Sequence, residues 1–308
     1  VSTRRISQSE IGCFLQCRRK HYWRYVKHLA PLKTPLPLAV GSAVHEGLAL
    51  FYRGAEPRKI IKVMTKKVTE LRKTVFVPPD ETFDFDEQEQ AILGMLEGYF
   101  ARYKHDPERW VYDPDDDVEC RFEVPLLYHN GVKVVFMGYL DLRAKSKKTG
   151  KPVLFEHKTV KDFSSLGSND LALDYQMGLY TWGQRKLTGE KYNTVVYNAI
   201  RKPTIHRRKK ETTEQYFLRL SKDCLDRPSF YFGRTMPQFS PERLKRLLAW
   251  SRAIVKDIID LQTDGDMTSY YPSTYVCSRF GNCEYLPLCS CGPRADILRM
   301  FQQRQGRR

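Results

Sequence analysis

Three β-forming runs in succession constrain the fold of this chain more than any other feature. Val118–Leu127 (VECRFEVPLL) and Val132–Leu142 (VKVVFMGYLDL) are rich in β-branched and aromatic residues. They are separated by His129-Asn130-Gly131, in which Asn-Gly is a strong signal of a tight hairpin. A third run, Val153–Val160 (VLFEHKTV), follows the turn-rich KSKKTGKP. Helical apolar spacing returns over Leu171–Leu187, and a fourth strand is expected at Thr194–Ile200 (TVVYNAI). This β-β-β-α-β order predicts a mixed α/β core, here placed at residues 115–202.

The flanks read as helical. Ser7–Lys27 carries Ile11, Phe14, Leu15, Tyr22 and Trp23 at helical spacing, with Ser7 or Ser9 as the N-cap. After the Pro-rich turn APLKTPLP, Val40–Tyr52 places Val44, Leu48 and Phe51 on one stripe with His45 beside it. Further helices are expected at Ile60–Val75, at Glu87–Tyr103 behind an acidic loop, at Thr213–Leu220 and at Pro241–Leu261. No repeat or long linker divides the 308 residues, so a single domain is expected. It would comprise a helical part (1–110), the core (115–202), a second helical part (203–270) and a cysteine-containing segment with a basic tail (271–308). No run approaches the ~18 apolar residues of a membrane span, and the first residues, VSTRRISQSE, lack an apolar signal region. A cytoplasmic protein with no membrane partner is expected.

Charge narrows the partners. Lys and Arg number 52 against 36 Asp and Glu, a formal net charge of +16, which favours polyanions and nucleic acid first. The basic residues cluster at Arg18, Arg19, Lys20, Arg24 and Lys27, at Arg201–Lys210 (RKPTIHRRKK), and in the ending RQGRR. Tyr22, Trp23 and Tyr25 lie beside the first cluster, where they could stack on exposed bases.

The run VLFEHKTV has an acid and a base in its interior. Alternate side chains of a strand share a face, so Glu156 and Lys158 point one way while Phe155, His157 and Thr159 point the other. Asp141 stands near the end of the preceding run, and adjacent strands would bring its carboxylate to that of Glu156. Two such carboxylates suit a hard divalent cation that prefers oxygen ligands. Such an ion polarises a phosphate and acidifies water, and Lys158 could stabilise charge developing on phosphorus.

The series GYLDLRA, VLFEHKT and Gln176-Met177-Gly178-Leu179-Tyr180 resembles the PD-(D/E)XK nuclease superfamily, in particular its RecB-like branch with a Gln-x3-Tyr helix. Gln176 and Tyr180 are four apart and share a helical face. The branch also has an upstream helical histidine, matched by His45 in GSAVHEG. The resemblance implies a restriction-endonuclease-like α/β fold, a mixed sheet flanked by helices. It further implies Mg²⁺ or Mn²⁺ on His45, Asp141 and Glu156, with the His157 carbonyl as an additional ligand. Lys158 would be the catalytic lysine, and Gln176 and Tyr180 would support the site or contact DNA. Leu140 stands where the family's motif has proline.

Eight cysteines add a second constellation. Cys277, Cys283 and Cys289 are spaced C-x5-C-x5-C, with Gly281, Asn282 and Pro287 as turn formers, and a dense cysteine group in a reducing compartment points to metal. A fourth ligand is needed. Cys17 resembles the N-terminal cysteine of the iron-sulfur nucleases in this branch, which include the AddB nuclease subunit and CRISPR adaptation exonucleases. The resemblance implies a 4Fe-4S cluster on Cys17, Cys277, Cys283 and Cys289, with Zn²⁺ as the alternative ion and Cys13 and Cys291 as substitute ligands. Cys120 and Cys224 read as small buried residues or free thiols.

The expected protein is therefore a metal-dependent deoxyribonuclease of phage type, acting as an exonuclease on DNA ends alongside a recombination annealing protein. A DNA endonuclease, a non-cleaving DNA-binding accessory protein and a redox sensor are the competing readings.

Overall fold

The structure, a computed structural model, describes residues 2–73, 75–76, 85–167, 169–278 and 283–304, with only the backbone at residues 76, 165 and 169. In chain order the principal elements are β1 (Ser2–Ser7), α1 (Gln8–Gln16), α2 (Leu36–Tyr52), α3 (Pro57–Leu71), α4 (Phe85–Arg102), β2 (Val118–His129) and β3 (Val132–Ser146). Next come β4 (Pro152–Val160), α5 (Tyr175–Thr188), β5 (Thr194–Arg201), α6 (Thr213–Asp226), β6 (Phe232–Thr235) and α7 (Pro241–Asp264). Asn130 and Gly131 have φ of 45° and 77°, the two left-handed residues that a tight hairpin between β2 and β3 requires. The loop ahead of Glu87, the turn at Gly281-Asn282 and the tail beyond Arg304 lie outside the described residues.

The chain divides into two compact units interleaved in sequence: residues 1–33, 123–138 and 245–308 form the smaller, and residues 34–122 and 139–244 the larger. The division cuts across the successive blocks read from the sequence.

In the larger unit, β3 pairs antiparallel with β4 (Leu142 opposite Phe155), β4 parallel with β5 (Glu156 opposite Tyr197), and β5 antiparallel with β6. The sheet is therefore mixed. Helices α2, α3, α4 and α6 pack into one core with it, through Leu48, Met64, Leu96 and Leu220 against Leu142, Phe155 and Val196. Close approach here depends on glycine: a Cβ on Gly98 would stand 2.5 Å from Cys224 Cβ.

In the smaller unit, β1 runs parallel to the first half of β3, Ser2 opposite Val132. Ser7 caps α1 by accepting the Glu10 N–H, so the helix starts one residue after the candidate cap. It does not continue to Lys27 as the spacing predicts. Cys17 is extended, with φ −163°, and a short helix (Arg18–His21) and a wide π-type turn (Tyr22–Val26) follow. Tyr22, Trp23 and Tyr25 are only 6, 4 and 8% exposed, and the first two pack with Tyr270, Tyr285, Leu288 and Phe301. They are core residues, and base stacking by these three rings is corrected accordingly.

Other boundaries move for local reasons. The helix expected from Val40 begins at Leu36, because Pro37 fits the first turn, where no N–H is needed. The helix expected over Ile60–Val75 ends at Leu71, and Val75-Phe76 instead pair with Thr34-Pro35. Within Leu171–Leu187, a 3₁₀ turn precedes α5, whose start is fixed by Asp174 accepting the Met177 N–H at 2.8 Å.

Candidate active site

The larger unit gathers six of the sequence-predicted residues where β3 and β4 meet. Asp141 lies one position before Leu142, whose partner is Phe155, so it stands beside Glu156 on the neighbouring strand. One carboxylate oxygen, Oδ2, accepts the His157 backbone N–H at 2.5 Å. The other is 3.3 Å from Nδ1 of His45, which α2 presents. Glu156 and Lys158, on one face as the strand period requires, form an ion pair. Gln176, in the first turn of α5, joins the two: its Nε2 donates to Glu156 Oε2 and its Oε1 accepts from Lys158 Nζ, each at 3.1 Å. Tyr180, one turn further along, packs edge-on against Phe122 with ring centroids 5.3 Å apart, and hydrogen-bonds to the Tyr139 backbone.

The side chain of His157 faces away from this set. Its ring stacks on Tyr52, centroids 5.6 Å apart, and Nδ1 lies 2.9 Å from Asn198 Nδ2. Asn198 also donates to Tyr99, and Tyr52 donates to Asp106, which is ion-paired with Arg234. The strand residue that holds Asp141 by its backbone is thus itself fixed by a buried polar network.

Electrostatics separate the two carboxylates. Burial works against the Asp141 anion, but His45 and the His157 N–H outweigh it and hold the carboxyl near 2. Burial pushes Glu156 up to about 7, with Lys158 pulling it down and the Asp141 charge pushing it further up. Desolvation opposes the Lys158 charge, yet Glu156 keeps the ammonium protonated and raises its pKa. For His157 burial dominates, and the imidazole, pushed down to about 3, is neutral.

One acid was missed in the sequence. Ligand atoms of His45, Glu119 and Asp141 all lie within 4.8 Å of one another, the only such trio of metal-binding side chains among the described residues. A two-residue turn at Asn130-Gly131 would pair Cys120 with Asp141 and put Glu119 on the other face, so regular alternation hides this acid; its left-handed backbone, with φ of 53°, is a departure that no motif signals.

The smaller unit assembles the cysteines separately. Cys17, Cys277, Cys283 and Cys289, from both ends of the chain, line one cavity together with Lys20 and Tyr285. Cys17 Sγ accepts backbone N–H groups from Lys20 at 3.4 Å and Ser273 at 3.3 Å. Burial raises the Cys283 and Cys289 thiols above their ordinary range. Neither substitute reaches this cavity: Cys13 is buried elsewhere, pushed up to about 12, and Cys291 is exposed. Cys120 and Cys224 are partly and fully buried, with thiols raised by burial to about 11 and about 12.

A mixed sheet flanked by helices, with Asp, Glu-x-Lys and Gln-x3-Tyr converging at the join of two strands, defines a class of hydrolytic core. The family model of the PD-(D/E)XK nuclease superfamily matches residues 5–290, and the chain belongs to that superfamily. Its fold is accordingly the restriction-endonuclease-like one. The chain is also similar to a solved structure described as a "putative exonuclease" from Eubacterium rectale, at 13% identity and a TM-score of 0.51 over 93% of this chain and 86% of that one. That likeness concerns the fold. A second structure, described as SSO0001, is 13% identical over 68% of this chain and 82% of that one, with a TM-score of 0.25. No curated protein matches the chain. No described helix is long and apolar enough to cross a membrane.

Proposed function

We propose that the two units together serve one divalent-metal-dependent deoxyribonuclease, which hydrolyses phosphodiester bonds from DNA ends. The observation that carries this reading is the Gln176 bridge between Glu156 and Lys158, set beside an Asp141 held ionised by His45 and the His157 N–H. His45, Asp141 and Glu156, with the His157 carbonyl, would hold Mg²⁺ or Mn²⁺. The fit is chemical: hard oxygens and an imidazole are the donors, and the Asp141 carboxylate lies 3.3 Å from the His45 imidazole. Bound there, the ion supplies polarisation of the phosphate and acidification of the attacking water.

The chain's own residues do the rest. Lys158, kept protonated by Glu156, offers a positive charge to the oxygens of the phosphate as negative charge builds on them. Gln176 fixes the rotamers of both neighbours, and Tyr180 braces α5 against Phe122 and the Tyr139 backbone. The net charge of +16 suits a DNA strand.

The cysteines fit a 4Fe-4S cluster better than zinc. A single tetrahedral Zn²⁺ with Zn–S near 2.3 Å needs sulfurs about 3.8 Å apart. Cys17, Cys277, Cys283 and Cys289 line a common cavity, and no three of them lie within 4.8 Å of one another, a looser arrangement than one zinc ion requires. Such a cluster would staple the two ends of the chain and would form in the cytoplasm. Resemblance to phage-type exonucleases supports action from ends and service to a recombination annealing protein, and the Eubacterium rectale protein's description as an exonuclease agrees with action from ends.

The test compares labelled linear DNA, single- and double-stranded, with covalently closed circles, in Mg²⁺, Mn²⁺ or chelator. Shortening of linear DNA with intact circles is expected. Cut circles would make the protein an endonuclease, and no cleavage by a cluster-loaded sample would favour a DNA-binding accessory role.

A further inference from the structure

We propose that Glu119 is a further metal ligand, completing a His45–Glu119–Asp141 triad; the assignment rests on the metal site of the proposed nuclease. Glu119 is the second residue of β2, in VECRF, and none of the motif residues includes it. Its φ is +53°, a left-handed backbone that residues with side chains seldom adopt within a strand. The three side chains present an imidazole nitrogen and two carboxylate oxygens, all mutually within 4.8 Å.

Size decides what such a trio can hold. An octahedral ion with ligands at about 2.1 Å spans about 3 Å between adjacent ligands and about 4.2 Å between opposite ones. Separations of at most 4.8 Å leave the triad within a small side-chain adjustment of a single small divalent ion. The donor set, one nitrogen and two hard oxygens, suits Mn²⁺ as well as Mg²⁺.

A buried polar atom near the triad points to a ligand as well: Nε2 of His157, in a residue 3% exposed, has no hydrogen-bond partner among the described residues. The His157 ring centroid is 6.1 Å from that of His45. Glu156 itself is not part of the 4.8 Å group, being engaged by Lys158 and Gln176. Glu119 thus adds a carboxylate beside His45 and Asp141, while Glu156 stays next to Asp141 on the neighbouring strand.

The test is Mn²⁺ binding, measured by the electron paramagnetic resonance of free Mn²⁺, on the full chain carrying Glu119→Gln, Glu119→Asn or Asp141→Asn. Asparagine tolerates the left-handed backbone, so it serves if glutamine impairs folding. Both Glu119 variants are expected to bind Mn²⁺ at least about tenfold more weakly than the parent. Parent-like binding by them, with binding lost in Asp141→Asn, overturns the role of Glu119 and leaves the nuclease site standing. Parent-like binding in all three variants removes the metal site itself, and the proposed function with it.

Discussion

Asp141 and Glu156 lie side by side on two strands, and their surroundings drive their acidities apart. Asp141, held near 2 against an ordinary 3.8, contributes stability that is fully present above the unfolded value and lost as pH falls through 2. The shift corresponds to roughly 2 kcal/mol. In the metal-free protein Asp141→Asn should be less stable by about that amount at pH 6, and by about half of it at pH 3, in urea unfolding. A gap that does not change with pH would mean that the anion is not what His45 and the His157 N–H hold. Gln176→Ala frees both Glu156 and Lys158, so turnover should fall by about 10²-fold with little change in DNA affinity; unchanged turnover would reduce Gln176 to a packing residue. At this scale the period of a strand was enough to read Glu156 and Lys158 as one face. It was not enough for Glu119, which regular alternation from the hairpin turn puts on the face opposite Asp141 and which reaches His45 and Asp141 on a left-handed backbone. Nor does helical spacing tell buried rings from exposed ones, and Tyr22, Trp23 and Tyr25 are buried.

Among the elements, the long ones were legible because apolar spacing repeats over several turns or pleats. The boundaries and short pieces were not. β1 (STRRIS) and β6 (FGRT) carry arginines where a pattern would show apolar residues, and their pairing partners lie more than thirty residues away in sequence. Cys17 ends α1 although its surroundings are helical in spacing, because its backbone is extended and its sulfur caps the next turn. That break also turns the thiol toward the cavity of the other three cysteines. Helix contact is the most exacting feature of the larger unit. At Gly98, a Cβ would stand 2.5 Å from Cys224 Cβ and 3.0 Å from the Phe232 ring. Gly98→Ala should destabilise by about 1–3 kcal/mol, read as a lowered Tm, since α4 and α6 must move apart. A Tm equal to the parent's would show that this contact yields easily.

For the molecule as a whole, two interleaved units hold two separate chemistries: carboxylates and a lysine in one, thiols in the other. Reading the sequence in successive blocks could not show this, because the smaller unit collects both ends of the chain and one hairpin. Charge, by contrast, was legible only as a total. Of the first basic cluster, Lys20 and Arg24 face Glu284, and Arg18 and Arg19 stack on aromatic rings. The overall excess still predicts DNA affinity that falls steeply with salt, on the order of 10³-fold or more between 50 and 200 mM if six or more phosphates are contacted. A flat salt response would remove DNA as the polyanion. The most direct test of the central claim is cleavage of end-labelled DNA in Mg²⁺ or Mn²⁺ by the parent and by Lys158→Ala, with binding measured in parallel. Loss of cleavage in the variant with DNA binding retained is predicted; cleavage at the parent's rate by Lys158→Ala would contradict it.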